Sequence, residues 1–63
     1  MKKYTIKLIN KDGFNTYYVI ADSYYGLETD IRFFKDDKLV AIFRNDMVES
    51  IKEEEVWLVK KLY

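Results

Sequence analysis

Of the eleven carboxylates in this sequence, four are the candidates for acid–base chemistry: Asp36 and Asp37, which are adjacent, and Asp22 and Asp30, which flank a loop-like segment. Shared acid and base work needs two carboxyl groups that converge from different elements across a cleft. Asp36-Asp37-Lys38 reads instead as a tight turn, and a hairpin tip has no cleft. Histidine and cysteine are absent. Ser23 and Ser50 therefore have no base to activate them, and zinc sites of the thiolate or imidazole kind are excluded. Glu28, Asp36 and Asp37 supply oxygen ligands but not the spaced-ligand loop of a cation site, and no glycine-rich phosphate loop occurs. The expectation is a protein that is not an enzyme and uses no cofactor or metal.

Binding chemistry is better represented. Aromatic doublets occur at Tyr17-Tyr18, Tyr24-Tyr25 and Phe33-Phe34. Neighbours on a strand face opposite sides, so one ring of each doublet on a strand points away from the first layer of core. Grouping Tyr18 with Phe14 and Ile20 on the inward face leaves Tyr17 outward beside Val19. An outward ring can stack a nucleic-acid base or anchor a protein interface. Large rings also fill and cap a small core. Trp57, in Val-Trp-Leu-Val, has the same two uses, as a core plug or as an interface residue. The charges are polarised. Lys2, Lys3, Lys7 and Lys11 make the first eleven residues +4, and Asp46, Glu49, Glu53, Glu54 and Glu55 against Lys52 make 45–55 −4. Such halves offer complementary patches for self-association or an acidic surface for a basic partner; they can also pair within the fold. The candidate contact residues are Tyr17, Tyr24, Tyr25, Trp57, Glu53, Glu54 and Glu55.

With 63 residues, the chain reads as a single domain over 1–63. A chain of this size buries about 60% of its unfolded surface, so stability is marginal and depends on good packing or a partner. Nearly half the residues are hydrophobic and 17% aromatic, which excludes a disordered composition. Eleven basic residues balance eleven acidic ones, which argues against a chain built to grip phosphates. No apolar run approaches the ~20 residues of a membrane span. Lys7, Asn10, Lys11 and Asp12 interrupt any leader-like core after Met1-Lys2-Lys3, and the reading is cytoplasmic with no membrane partner.

The elements that must position these residues read as strands. Tyr4, Ile6 and Leu8 alternate with Lys3, Thr5 and Lys7. Asn10-Lys11-Asp12-Gly13 is a turn, and 14–21 pairs back as a hairpin. Residues 22–28 read as loop, with Gly26 at its bend. Residues 30–35 form a third strand. Residues 39–44 form a fourth, apolar on both sides, with Leu39, Ala41 and Phe43 on one face and Val40 and Ile42 on the other. Asn45-Asp46-Met47 fits one helical turn, and 48–52 a fifth strand. Ser50 and Glu53 match a capping box, so 56–62 is a terminal strand or a short helix. The expected core is Tyr4, Ile6, Leu8, Tyr18, Ile20, Ile31, Phe33, Ala41, Phe43 and Ile51. Five hairpin-linked strands predict an all-β fold, a small closed or nearly closed barrel or a strongly curled antiparallel sheet.

The order Ile31-Arg32-Phe33-Phe34-Lys35, Asp36-Asp37-Lys38, Leu39-Val40-Ala41-Ile42-Phe43, Asn-Asp-Met and Val48-Glu49-Ser50-Ile51 resembles the layout of small phage and prophage proteins of low-GC Gram-positive bacteria. Those proteins are similar to SH3-like or Sm-like β-barrels. The resemblance covers roughly residues 4–52. It implies a fold, and no functional residue is carried over with it. The functional expectation is a non-enzymatic protein-interaction module, of the phage-encoded kind that modulates or inhibits a host or defence protein. The alternatives are a single-stranded nucleic-acid binder and a subunit that completes its core as a homo-oligomer.

Overall fold

The structure is a computed structural model, and residues 1–55 are those described. Among them the chain is all-β: β1 (Lys2–Asn10), β2 (Gly13–Ala21), β3 (Ser23–Gly26), β4 (Asp30–Lys35), β5 (Lys38–Arg44), a 3-10 turn (Asn45–Met47) and β6 (Val48–Glu55). They form two antiparallel three-stranded sheets, in the orders β2-β1-β6 and β3-β4-β5. The terminal element expected over 56–62, and Trp57 with it, lies outside the described residues.

The alternating pattern of β1 places it at the centre of the first sheet. A two-residue loop, Lys11-Asp12, sets the β1–β2 register, with Asn10 opposite Gly13, Ile6 opposite Tyr17 and Lys2 opposite Ala21, and no shift along the ladder. The Asn10 side-chain carbonyl accepts the Asp12 N–H at 2.9 Å. Gly13 takes φ 120°, which a side chain would strain. On its other edge β1 pairs with β6, Ile6 opposite Ile51 and Lys2 opposite Glu55.

Asp22 alone separates β2 from β3, and its N–H already donates to the Phe34 carbonyl at 2.8 Å. The chain thus bends at this point from one sheet into the other. The β4–β5 hairpin turns at Asp36 and Asp37, with φ of 52° and 63°, the positive-φ pair of a type I′ hairpin. The Asp22 carboxylate accepts the Asp36 N–H at 2.9 Å and ties this turn back to the bend.

The two central strands supply most of the core between the sheets. Tyr4 and Ile6 of β1, Ile31 and Phe33 of β4, and Ala21 at the bend are buried; Leu8, Val19, Ala41, Phe43, Val48 and Ile51 pack around them. Phe33 meets Tyr4 with ring centroids 5.1 Å apart and Phe43 at 5.8 Å, both edge to face.

Several expectations change against this architecture. There are six strands rather than five, because Ser23–Gly26, expected as loop, pairs with β4. The strand expected over 48–52 continues to Glu55. The inward face of β2 is Tyr17, Val19 and Ala21, opposite Ile6, Tyr4 and Lys2, so Tyr18 and Ile20 are exposed rather than core. The register expected for β2 was thus off by one residue, which turns every side chain over. In β5 a bulge in the ladder pairs Ala41 with Phe33 but Leu39 with Phe34. Leu39 therefore changes face and, with Val40 and Ile42, is open to solvent. The helical turn at Asn45–Met47 is present as expected.

Candidate functional site

Among the described residues, the outward faces of the two sheets carry exposed rings and lysines. On the first, Lys3, Thr5 and Lys7 of β1 alternate with the inward residues and stand opposite Ile20, Tyr18 and Thr16 of β2. The Lys3 ammonium lies over the Tyr18 ring at 4.8 Å and the Lys7 ammonium over the Phe14 ring at 4.4 Å. Both contacts are within cation–π range. Tyr18 is 64% exposed, so the lysines cover part of each ring and leave the rest to solvent.

The second outward face is more apolar. Tyr25 of β3 stands opposite Arg32, Phe34 opposite Leu39, and Arg32 opposite Ile42. Tyr25 and Phe34 meet edge to face at 5.6 Å. Tyr25 is 60% exposed and Ile42 51%, with Leu39 and Val40 also open. Arg32 does not offer this face a free cation. Its Nε donates to Asp30 Oδ1 at 2.9 Å, and this bond holds the Asp30 carboxyl below its ordinary range.

The structure separates the expected contact residues into distinct groups. Tyr17 is not outward. It lies on the inner face, its ring centroid 5.8 Å from that of Phe43, and it is 46% exposed at the margin of the core. Tyr24 stacks on Phe33 at 5.3 Å and meets Tyr4 edge to face at 5.3 Å, closing one side of the core. Tyr25 alone of these three points away from the sandwich. Glu53 and Glu54 sit on β6 against the basic strand, Lys2 Nζ to Glu53 at 3.3 Å and Lys3 Nζ to Glu54 at 3.9 Å, with Glu55 opposite Lys2 in the register. The acidic and basic runs thus meet within the sheet, and Glu53 raises the Lys2 pKa by hydrogen bonding and charge. Phe14 and Tyr18, expected inward, and Leu39 and Ile42, expected on a strand apolar on both sides, are surface residues; Phe34 takes the outward side of its doublet as expected and is half-buried. The hairpin loop length carried the signal for the first two, since pairing Asn10 with Gly13 puts even-numbered β2 residues beside odd-numbered β1 residues.

The carboxylates do not assemble into a reaction centre. Asp36 and Asp37 form the hairpin tip, Asp22 binds that turn's backbone, and Asp30 is held by Arg32. Glu28, Thr29, Arg44, Asn45 and Asp46 line a shallow polar recess. There Arg44 is already paired with Asp46 at 2.9 Å, and Asn45 Nδ2 donates to the Leu27 carbonyl. Among the described residues no three carboxylates come together as a metal site. Among the described residues no helix is long and apolar enough to cross a membrane. The chain matches no family model, no curated protein and no solved structure.

Proposed function

We propose that this chain is a non-enzymatic protein-interaction module, built as an SH3-like or Sm-like small barrel of the phage and prophage type. Counting β2 and β3 as one strand bent at Asp22 reduces six strands to five, the number such a barrel uses. The outward face of β3-β4-β5 carries the functional reading. Tyr25, Leu39 and Ile42, with half-buried Phe34 among them, form an open apolar surface around paired charges, the composition of an interface centre. A partner protein that buries Tyr25 and Ile42 is the target, in keeping with a modulator or inhibitor of a host or defence protein. The test is affinity capture from native cells with a photo-crosslinking residue at position 25, repeated with Ile42→Lys. A protein crosslinked by the parent chain and lost in the folded Ile42→Lys variant supports the reading. Crosslinks that are indifferent to Ile42→Lys refute it.

A second reading rests on the other face. Phe14 and Tyr18 stand four residues apart on one strand, about 13 Å, each flanked by a lysine ammonium. Rings and cations interleaved in this way suit a single-stranded nucleic acid. Salt-titrated binding of short oligonucleotides to the parent chain and to Tyr18→Ala decides it. Affinity that falls steeply with salt and drops in Tyr18→Ala favours this face over the first.

A further inference from the structure

β2 is an edge strand with none of the usual protection. It pairs with β1 on one side, and nothing among the described residues pairs with it on the other. Every second residue of such a strand turns its N–H and C=O outward, away from its neighbour. Edge strands are normally blunted by charge, proline, a bulge or short length. β6 carries Glu49, Lys52, Glu53, Glu54 and Glu55, β5 has a bulge and ends in Lys38 and Arg44, and β3 spans 4 residues. β2 spans 9 residues, Gly-Phe-Asn-Thr-Tyr-Tyr-Val-Ile-Ala, with no charge, no proline and no shift in its ladder.

The geometry points to a homodimer in which two β2 strands pair antiparallel about a two-fold axis through Tyr17, joining two β2-β1-β6 sheets into one. This pairing uses the full length of the strand. It sets Phe14 opposite Ile20 of the other copy and Thr16 opposite its Tyr18 on the outer face, with Asn15 opposite Val19 and Tyr17 opposite Tyr17 on the inner face. All are cross-strand pairs that sheets favour or tolerate. No charged side chain of β2 meets another, because β2 has none. The backbones of Lys3 and Lys7 stand one strand back, but their ammonium groups reach over the Tyr18 and Phe14 rings of β2, so the seam brings lysines of the two copies towards one another; Glu54, 3.9 Å from Lys3, and salt offset that repulsion. The two chains are each neutral. The like charges brought near one another are Asp12 of each copy and Asp22 of the other, at the solvent-exposed rims and beside Lys11. The dimer is independent of the proposed partner face, since Tyr25 and Ile42 lie on the other sheet.

Sedimentation velocity on the 1–63 chain tests this, with amide hydrogen exchange on β2. The parent chain sediments as a concentration-dependent dimer at on the order of 100 µM, and alternate β2 amides slow in exchange as concentration rises. The double change Thr16→Lys with Tyr18→Lys opposes like charges twice and gives a monomer with unchanged far-UV CD. Thr16→Glu with Tyr18→Lys opposes unlike charges twice and keeps the dimer. Four outcomes overturn the proposal: a monomeric parent chain with unprotected β2 edge amides; a dimer that survives Thr16→Lys with Tyr18→Lys; loss of the dimer in both folded variants alike; and a monomer whose edge amides are protected at every concentration, which makes 56–63 of the same chain the occupant. If the double-lysine variant fails to fold, concentration-dependent protection in the parent chain decides alone.

Discussion

Tyr17 and Tyr18 are chemically identical neighbours whose surroundings give them opposite expected behaviour. Tyr17 packs against Phe43 on the inner face; Tyr18 is 64% exposed beneath the Lys3 ammonium. Tyr17→Ala is therefore expected to lower stability by about 1–2 kcal/mol, and Tyr18→Ala by less than about 0.5 kcal/mol, read as midpoints in urea at a dilution where the chain is monomeric. A larger loss in Tyr18→Ala than in Tyr17→Ala would mean that the β2 ladder is in the other register. Phe33 marks the other extreme. It is fully buried between Tyr4, Tyr24 and Phe43, so Phe33→Ala is expected to cost about 3–5 kcal/mol. That matches the whole stability of a chain this small, and the variant should lose its cooperative melt. Half-buried Phe43→Ala should cost less than Phe33→Ala. Phe43, expected in the core, packs against it from the outermost strand of its sheet and is only partly buried.

At the scale of elements, local patterns and loop lengths were legible, and the competition between them was not. The alternation of β1, the turn at Gly13, the Asp36-Asp37 turn and the helical turn at Asn45 could all be read from neighbouring residues. Two further outcomes required knowing what lay across the sheet. Ser50 and Glu53 favour a helix start on local grounds, yet β6 runs on to Glu55 because Lys2 and Lys3 of β1 stand opposite the glutamates. Tyr24 and Tyr25 read as loop because Gly26 follows, yet β4 offers them an edge to pair with. The two-residue loop carries the β2 register, which turns Tyr17, Val19 and Ala21 inward and the grouping of Phe14, Tyr18 and Ile20 outward. The face of Leu39 was not recoverable, because a bulge leaves no mark in the composition of β5. The same loop logic gives a prediction for the β4–β5 turn, where Asp37 sits at φ 63°. Asp37→Gly removes the side-chain strain of that conformation and matches the residue preferred at the second position of a type I′ turn. It should stabilise the chain by up to about 1 kcal/mol. Asp22→Ala removes the carboxylate that accepts the Asp36 N–H and should destabilise by about 1 kcal/mol. A thermal midpoint that falls in Asp37→Gly would show that the turn gains more from chain stiffness than it loses to strain.

For the whole molecule, the described residues include few buried apolar side chains and many exposed ones, so its response to pH rests on a small set of groups. Asp30 is held below its ordinary range first by the Arg32 hydrogen bond. Its contribution is present above the ordinary carboxylate pKa and is lost as pH falls through the folded value, so it acts only on the acid limb. Tyr4 acts at the other end. Burial, with the Glu53 charge beside it, pushes the Tyr4 phenol above its ordinary value of about 10. The unfolded chain then releases this proton at a lower pH than the folded chain does. Stability from Tyr4 is thus complete below about pH 10 and is lost as pH climbs from there through the folded pKa. Tyr4→Phe abolishes this loss because the ring keeps its packing and has no proton to release. The thermal midpoint of the parent chain should fall above about pH 10, and that of Tyr4→Phe should fall less steeply over the same range. The absorbance of tyrosinate supplies the check. In the parent chain the part of the tyrosinate absorbance that Tyr4→Phe lacks should develop only together with the loss of β-sheet CD. If the full tyrosinate absorbance develops while the CD spectrum is intact, Tyr4 is accessible in the folded chain and its place at the centre of the core is wrong.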